Sequence, residues 1–519
     1  MPVRKFIIIL FLSCFYTNAF AQKSNITEYH VPRAYYVCYE GSDLNPGTKQ
    51  KPFRTINRLN RIGLIQSDTI FFKGNETFYG SLKLNLQGNE KDHVFISSYG
   101  RGRARIAGRN AEAMILSGSY FILKNIIAYG SGRKNGNRTH GILFINASDA
   151  EVRNCTVSGF QKSGIEIYKS ANVILKGILA EYNGAIGISV TESRSCHIID
   201  SKANDNPGDP TNLTNHSGNG ILVGLSDSVI IDHCTATNNG WDMPRKGNGP
   251  VGIWTYESNH VIIQYCISYR NKTSKGSSDG GGFDLDGGVK NSIIQYCLSY
   301  ENQGSGYGLF QYSGASNWNN NAVRFCISIN DGKVTKDAAG ILVWNNSNDS
   351  SQLSNCSVYN NLVFNNAVPV ISFMPESKNA AFDFYNNIFI GPKDIINGPS
   401  SGEHFEANVW WSSLKNKPLS FKGYNNLTAW INASGLVNGF ADTLSRQTDP
   451  LIRNPDKLSI IDPHKLALLN NFRLNSKSPV IDKGIKIKEQ QYIPFPGHDF
   501  FGAALIGRML LSPGVDQSK

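Results

Sequence analysis

The residues best suited to chemistry lie in the stretch 279–288, which reads Asp-Gly-Gly-Gly-Phe-Asp-Leu-Asp-Gly-Gly. Asp284 and Asp286 are two positions apart, and on a β-strand such residues point to the same side. Close carboxyl groups repel each other's charge, which raises the pKa of one of them and separates an acid from a base. Glycosidic cleavage uses such a pair, because one acid protonates the leaving oxygen while one carboxylate activates water or attacks the sugar. We therefore predict that Asp284 and Asp286 form a catalytic pair on the surface of a strand.

An internal repeat places this stretch in a regular series of strands. A Gly-apolar-x-apolar segment recurs at steps of 23 to 33 residues, followed each time by a polar turn, a β-branched strand and an Asn-containing turn. One such unit cannot bury its inward face alone, so the units must stack as coils of a parallel β-helix. The repeated segments begin at Gly141, Gly164, Gly187, Gly220, Gly252, Gly282, Gly308 and Gly340. The turn residues Asn239, Asn271, Asn302 and Asn361 are expected to bond from coil to coil through their amides.

The repeat predicts an all-β fold, a right-handed parallel β-helix (solenoid) with an N-terminal cap and a C-terminal strand and loop closing region. Residues 1–21 have the charged, apolar and small-x-small parts of a secretory signal peptide, so we expect export to the periplasm or the extracellular space. Residues 22–118 are assigned to the cap and first coils, 119–395 to the β-helix core with a groove, and 396–519 to the closing region. The apolar run near the N-terminus is too short for a membrane span.

Charge narrows the range of partners. The formal net charge is +11, and the basic residues are scattered along the chain. This pattern suggests either an acidic polysaccharide or oligosaccharide partner or a generally basic surface. No tight basic cluster suggests nucleic acid, and we expect a monomer without a membrane span.

Cysteine spacing favours packing over cross-linking. Of nine cysteines, Cys14 would leave with the signal peptide, and an even number remains, which in an exported protein also permits disulfides. Small thiols can fill an inward position once per coil, so we predict a ladder of free thiols. Its predicted members are Cys234, Cys266, Cys297, Cys326 and Cys356.

Aromatic residues are expected beside the acids, where ring faces could stack on sugars. With the Gly-led strands aligned, the second and fourth residues after each glycine point outward. Asp279 and Asp337 each precede their glycine by three residues, so both are further catalytic candidates on the rim. Longer insertions before these glycines, at 207–217, 240–249, 272–281, 303–306 and 331–339, are expected to surround the groove. The predicted substrate-binding residues are Trp254, Tyr256, Phe310, Tyr312 and Trp344, and His216 is a weaker candidate for the far end.

The acids have two other possible roles besides hydrolysis, a calcium site and a non-catalytic carbohydrate-binding face. Clustered carboxylates suit Ca²⁺, which would be held by Asp279, Asp284 and Asp286. Hydrolysis itself requires no cofactor or metal. A non-catalytic carbohydrate-binding face is the other alternative.

Both ends of the chain resemble the pectin-lyase-like superfamily of right-handed β-helix proteins. The opening Tyr-Val-Cys-Tyr-Glu-Gly-Ser-Asp-Leu-Asn-Pro-Gly-Thr at 36–48 and Pro-Phe-Arg-Thr-Ile at 52–56 is similar to the start of secreted bacterial members, of the type known from Bacteroidetes. Ser-Pro-Val-Ile-Asp-Lys-Gly at 478–484 and Asp-Phe-Phe-Gly at 499–502 resemble their C-terminal signature. The resemblance implies the fold, secretion and carbohydrate activity, including lyases, glycosidases and epimerases.

Within this superfamily, the Asp279 to Phe283 segment resembles the Asp-Gly-Phe strand of family 9 pectate lyases. That resemblance implies uronic-acid cleavage, in which calcium neutralises the substrate carboxylate and a Lys or Arg abstracts a proton. The next strand, Gln-Gly-Ser-Gly-Tyr-Gly-Leu at 303–309, has no Asp, and the later strand at 340–343 has no Lys. Lys333 and Lys336 lie only in the preceding loop. The polygalacturonase signatures are also missing, so we favour a different glycosidase, with a lyase or epimerase as the alternative.

Overall fold

Parallel pairing between successive coils builds most of the structure, a computed structural model that describes residues 31–517 except 348, 376–377, 400–401, 415–416, 439–441, 456–457, 459–460 and 509. The predicted signal peptide at 1–21 lies outside the described residues. The described strands form one parallel sheet of 25 strands and a second of 14. The predicted right-handed parallel β-helix is confirmed.

The larger sheet contributes two strands to most coils, and the smaller sheet contributes one. The strands of the larger sheet are Ala34–Val37, Thr69–Lys73, Leu82–Gln87, Val94–Tyr99, Met114–Lys124, Ile142–Arg153, Ser163–Tyr168, Ala171–Lys176, Ile186–Thr191, His197–Ile199, Asn219–Gly224, Ile230–Asp232, Val251–Tyr256, Ile262–Gln264, Gly281–Leu285, Ile293–Gln295, Tyr307–Gln311, Trp318–Arg324, Ile341–Asn345, Leu353–Tyr359, Ile371–Phe373, Ala380–Tyr385, Asp394–Asn397, Glu403–Glu406 and Ser420–Phe421. Those of the smaller sheet are Thr77–Tyr79, Ala104–Arg109, Ile126–Gly130, Thr156–Ser158, Leu179–Glu181, Lys202–Asn204, Thr235–Thr237, Ile267–Tyr269, Leu298–Tyr300, Ile327–Ile329, Leu362–Phe364, Ile388–Gly391, Val409–Ser412 and Arg446–Gln447.

The described helices are short and lie outside the two sheets. The α-helices are Ile56–Leu59 and Leu427–Asn438, and the 3-10 helices are Ser350–Gln352, Pro463–Leu468 and Asn470–Phe472. Trp430 of the second α-helix stacks on Phe421 and meets Trp410 edge-on, so this helix covers the C-terminal end of the core. Among the described helices, none is long and apolar enough to cross a membrane.

The stack extends beyond residue 395, the predicted end of the β-helix core. Parallel pairs continue to Arg446 and Gln447. The segment after residue 460 then returns along the side of the stack and packs on the outer face of the smaller sheet and on the adjoining strands of the larger sheet. There the hydroxyl of Tyr296 donates to the carbonyl of His498, and Arg324 donates to the carbonyl of Pro494. This segment covers a side of the helix rather than its end.

Ladders of like residues hold successive coils in register. The side-chain amide of Asn239 donates to Asn271, and that of Asn271 donates to Asn302, each at 2.9 Å. The coil-to-coil amide bonds at these positions are thereby confirmed. Asn361 lies in the ladder of the cysteines, because its side-chain Oδ1 accepts the backbone N–H of Cys326.

The thiol ladder is confirmed for four of its five predicted members. All eight described cysteines are free and buried. The backbone N–H groups of Cys234 and Cys266 point at the sulfur of the next coil's cysteine. Cys356 was assigned wrongly, because it pairs with Asn321 and lies inside the strand Leu353–Tyr359. The position above Cys326 is held by Asn361, a residue of similar size that can also satisfy the N–H below it.

Candidate active site

A single cleft of about 680 Å³ runs along the outer side of seven successive strands of the larger sheet, from Ser163–Tyr168 to Ile341–Asn345. The predicted insertions form its walls. Their contributions include His216, Arg245, Asp279, Ser305 and Lys336. The insertions therefore surround the acid-bearing strand, as their position before the Gly-led strands indicates.

Strand pairing arranges the outward side chains at the floor of the cleft in two rows. Asp286 comes directly after its strand ends at Leu285, and its alignment places it in the second of the two rows given below. The first row is Glu166, Ser189, Leu222, Trp254, Asp284, Gly308 and Leu342. The second row includes Thr191, Gly224, Tyr256, Phe310 and Trp344.

One predicted alignment was wrong by two residues. Asp284 pairs with Gly308, and Phe283 pairs with Tyr307, so the strand Tyr307–Gln311 aligns through Gly306 and not through Gly308. Because a shift of two preserves the side of a strand, Phe310 still points outward, although it lies in the row of Asp286. The signal was obscured because Tyr307 takes an inward position, where its hydroxyl donates to two backbone carbonyls.

Asp284 is buried at the middle of the cleft, with only 3% of its surface exposed. Its Oδ1 has no hydrogen-bond partner among the described residues. Burial, with the nearby charges of Asp286 and Asp279, raises the pKa of Asp284 well above its ordinary value. The carboxyl group therefore favours its protonated form and can donate a proton to an atom in the cleft.

Asp286 is partly buried and has a different environment. Burial raises its pKa to about 7, and the charges of Asp279 and Glu257 act in the same direction. The backbone N–H of Gly287 donates to Asp286 Oδ1 at 2.7 Å and opposes this rise by stabilising the charged form. The pKa of Asp286 is therefore placed where a base can work near neutral pH.

Of the two rim acids, the structure brings only Asp279 to the cleft. The N–H of Gly249 donates to Asp279 Oδ2 at 2.9 Å, while burial raises the pKa of this carboxyl group to about 6. Asp337 does not line the cleft; its carboxylate lies 3.9 Å from the exposed ammonium of Lys336. The expectation that Asp337 is catalytic is therefore not supported by its placement, because equal spacing from a glycine does not fix the direction of a loop side chain.

The five predicted aromatic residues all line the cleft, but they differ in exposure. Trp254 is only 3% exposed, and its indole N–H donates to Asn219 Oδ1 at 3.0 Å. It packs against Leu222 and Val251, so it supports the floor more than it offers a stacking face. Phe310 is 8% exposed. Tyr256, Tyr312 and Trp344 are the partly exposed rings of the set.

Tyr312 lies beside the acids although it is outside the two rows. A side chain at Gly287 would collide with the Tyr312 ring, so the two residues are in contact. Burial and the charges of Asp286 and Glu257 raise the pKa of Tyr312 to about 12. Its hydroxyl therefore stays protonated and can donate a hydrogen bond at this end of the cleft.

Sequence reasoning missed several polar residues of the cleft. Glu166 lies in the row of Asp284 but four strands away, and nothing in the local sequence marked it beyond its outward position. Arg245 and Asn248 come from an insertion and were not singled out. His216, the weaker candidate, does line the cleft, with its ring 4.9 Å from that of Trp254. Burial and the neighbouring Arg245 lower the pKa of His216 to about 4, so its imidazole is neutral at physiological pH.

Comparisons with known proteins agree with this architecture. A family model described as Pel9A-like, right handed beta helix region, matches residues 35–330, which is more than half of the chain. The chain belongs to this Pel9A-like family.

Similar solved structures share the fold of this Pel9A-like protein at low sequence identity. A GH136 lacto-N-biosidase from Eubacterium ramulus matches at 16% identity and a TM-score of 0.53, over 72% of this chain and 68% of that one. The pectate lyase Pel9A matches at 16% identity and a TM-score of 0.45, over 94% and 97% of the two chains. A PL6 family alginate lyase matches at 13% identity and a TM-score of 0.47, over 71% and 52%. Comparison with curated proteins found no match.

The resemblance to family 9 pectate lyases implied a calcium site, which the acids of this Pel9A-like protein do not fit well. Among the described residues, no group of three or more His, Cys, Asp or Glu side chains is arranged to hold a metal ion. We therefore derive no step through calcium.

Proposed function

We propose that the protein hydrolyses glycosidic bonds in a polysaccharide or an oligosaccharide derived from one, with Asp284 as the general acid. Asp286 acts as the carboxylate that activates water or attacks the sugar. The observation that carries this assignment is the pair of neighbouring carboxyl groups at the middle of a long cleft, one buried more deeply than the other. Their environments push their protonation states apart, which is the requirement for one acid and one base.

The proposed reaction begins with the proton on Asp284. This proton moves to the glycosidic oxygen as the bond to the sugar carbon breaks. The ionised Asp286 either takes a proton from the water that bonds to this carbon, or bonds to the carbon itself until water replaces it. Because the site is largely buried, these charges act on each other more strongly than in bulk water. Asp279 contributes negative charge that keeps the pKa of Asp286 high.

The walls suit a sugar chain with apolar ring faces and polar edges. Partly exposed rings of Tyr256, Tyr312 and Trp344 can stack on sugar faces near the acids. Arg245 and Lys336 add positive charge to the walls, so an acidic sugar unit can be accommodated beside them. The predicted signal peptide agrees with action on such a substrate after export.

Uronic-acid β-elimination is the second candidate, because the chain belongs to the Pel9A-like family. In that reaction a deprotonated Lys or Arg would have to take a proton from the sugar ring. Arg245 and Lys336 of the cleft walls are the candidate bases for this reaction. Epimerisation would start with the same proton abstraction but leave the chain intact.

A polysaccharide panel distinguishes these activities. Each substrate is incubated with the wild-type protein and assayed for new reducing ends and for the ultraviolet absorbance of unsaturated products, with and without a calcium chelator. Hydrolysis predicts reducing ends without absorbance and no effect of the chelator. Asp284→Asn and Asp286→Asn should each lower kcat by about 10²–10⁴-fold, the usual contribution of a general acid or base.

Glu90→Gln is the control, because Glu90 is exposed and lies outside the cleft. Absorbing products that vanish with chelator would establish the lyase instead. Binding of a substrate without turnover by either assay would refute the assignment of hydrolysis, and an NMR spectrum of the recovered polysaccharide would then separate an epimerase, which changes the sugar, from a carbohydrate-binding protein, which does not.

A further inference from the structure

The end of the cleft farthest toward the N-terminus is built from polar groups that the proposed reaction does not use. Glu166 and Ser189 occupy the first two places in the row that contains Asp284. Four strand spacings separate Glu166 from Asp284, or roughly 19 Å at the usual spacing of parallel strands. This distance is too long for Glu166 to take part in the same bond cleavage.

Glu166 is a carboxylate that is held in place but not neutralised. It is 8% exposed, and it accepts hydrogen bonds from Ser163 Oγ at 2.8 Å and Thr191 Oγ1 at 2.6 Å. A carboxylate has about four acceptor positions, so two bonds leave it with unused capacity. The nearby Lys162 is engaged elsewhere, since its ammonium lies 2.7 Å from the buried carboxylate of Asp209.

His140 complements this carboxylate with a donor. Its Nδ1 accepts the backbone N–H of Ser163 at 3.3 Å and lies 3.8 Å from Glu166. Burial lowers the pKa of His140 and the charge of Lys162 acts in the same direction, although Glu166 and Glu112 oppose this fall. A neutral ring whose Nδ1 is an acceptor carries its proton on Nε2. Among the described residues, Nε2 has no hydrogen-bond partner, so it can donate to a ligand.

Ser189 adds a second unsatisfied polar group at this end. Its Oγ is buried and has no hydrogen-bond partner among the described residues. It lies between Glu166 and Leu222 on the floor of the cleft. Beyond it, Leu222, Val251 and Trp254 form an apolar section that leads to Asp284. The cleft therefore has two polar regions separated by an apolar floor, which matches a chain of several sugar units better than a single ring.

We propose that Glu166, His140 and Ser189 form a distal subsite that binds an uncharged sugar unit of the chain cleaved at Asp284. Neighbouring hydroxyls of that unit donate to Glu166 and accept from His140 Nε2. A uronic acid is disfavoured at this place, because its carboxylate would lie beside the charge of Glu166. The proposal rests on the proposed function for the reaction, but binding at this end can be measured without turnover.

The first test compares chain lengths. Oligosaccharides graded in length, prepared from the polysaccharide that the wild-type protein cleaves, are assayed with the wild type, Glu166→Gln and Glu192→Gln. Glu192 follows Thr191 and pairs with Lys169 outside the cleft, so it is a matched control. Glu166→Gln should lower kcat/KM about tenfold for chains long enough to span the cleft, the value of one hydrogen bond to a charged group. Short chains should be cleaved at the wild-type rate.

The second test measures binding alone. The inactive Asp284→Asn protein, with and without Glu166→Gln, is applied to immobilised neutral and uronic oligosaccharides of matched length. Long neutral chains should bind more tightly than their uronic counterparts, and Glu166→Gln should reduce this preference. An equal loss of kcat/KM at every chain length, or an unchanged preference in binding, would overturn the subsite. If no polysaccharide is cleaved while the binding preference is present, the proposed hydrolysis fails and the subsite stands.

Discussion

Gly308 lies beside Asp284 on the next strand, and a Cβ at this glycine would come within 3.0 Å of Asp284 Oδ1 and 2.7 Å of Phe310 Cζ. The acid and the ring therefore occupy space that a side chain would fill. The backbone of Gly308 does not have a positive φ, so alanine is compatible with its conformation and the steric effect can be tested separately. Gly308→Ala should displace the carboxyl group and lower kcat/KM by about tenfold or more, since small misplacements near reacting atoms are costly.

The control for Gly308→Ala is Gly63→Ala, because a Cβ at Gly63 would meet nothing within 4 Å and its φ is also not positive. Steady-state kinetics and thermal unfolding are measured for both variants. Overpacking at Gly308 should cost about 1–3 kcal/mol of unfolding free energy. Wild-type kinetics in Gly308→Ala would show that the position of Asp284 is not critical.

The pH dependence of the reaction should report the environment of Asp286. Since Asp286 works as a carboxylate with a pKa of about 7, kcat/KM should fall as the pH drops below that value. The charge of Asp279 is one cause of the raised pKa, so Asp279→Asn should move this acidic limb to lower pH. Glu90→Gln should leave the profile unchanged. A limb that stays in place in Asp279→Asn would remove Asp279 from the electrostatics of the pair.

Asp284 should make the folded protein less stable as the pH rises. Burial raises its pKa in the folded state, so the folded protein binds its proton more tightly than the unfolded chain does. The unfavourable effect begins above the ordinary carboxyl pKa and grows until the pH passes the raised value. Asp284→Asn removes the titrating group, so the substitution should raise Tm more at about pH 8 than at about pH 4. An equal change in Tm at both pH values would contradict the burial of an ionisable group at this position.

The thiol ladder predicts insensitivity to reductant. The eight described cysteines are free, and Cys266 lies between Cys234 and Cys297 with backbone N–H groups directed at sulfur. Unfolded protein prepared without reductant should therefore show eight titratable thiols from these positions, and Tm should not change on addition of reductant. Fewer thiols in freshly purified protein would reveal a disulfide and overturn the ladder as a packing device.

The fold could be predicted because its determinants are periodic. Each coil needs an inward-facing apolar strand and a buried amide at its turn. The Gly-led strands of Gly252 and Gly282 and the turn residue Asn271 show these features with little variation. The alignment failed at Gly308, where Tyr307 replaces an inward aliphatic residue and satisfies its hydroxyl with backbone carbonyls. Residue types alone do not predict that a buried tyrosine will find such partners in its own coil and in the preceding one.

The site was harder to predict than the fold, because insertions rather than repeats supply its walls. The outward row identified Asp284 and the aromatic residues, since strand direction alone determines which side they face. Arg245 and Asp337 lie in loops whose side-chain directions depend on contacts with other loops. Glu166 was missed for a different reason. It occupies an outward position in the row of Asp284, but it lies four coils from the acids and has no second acid beside it.

The asparagine ladder should be required for both stability and the shape of the cleft. Asn271 is 1% exposed, accepts from the backbone N–H and the amide of Asn239, and donates to Asn302. The insertion that carries Asp279 begins directly after Asn271. Asn271→Ala leaves buried donors without partners and should cost about 1–3 kcal/mol for each. The loosened turn should also lower kcat/KM.

Asn259→Ala is the matched control for this ladder. Asn259 also bonds from coil to coil, donating to Asp227 at 2.7 Å, but it is partly exposed and precedes no insertion of the cleft. Water can replace its lost bond, so the change in unfolding free energy should be smaller and kcat/KM should not change. Denaturant unfolding and kinetics on both variants separate the two effects. Equal destabilisation in the two variants would show that burial of the Asn271 ladder does not set its contribution.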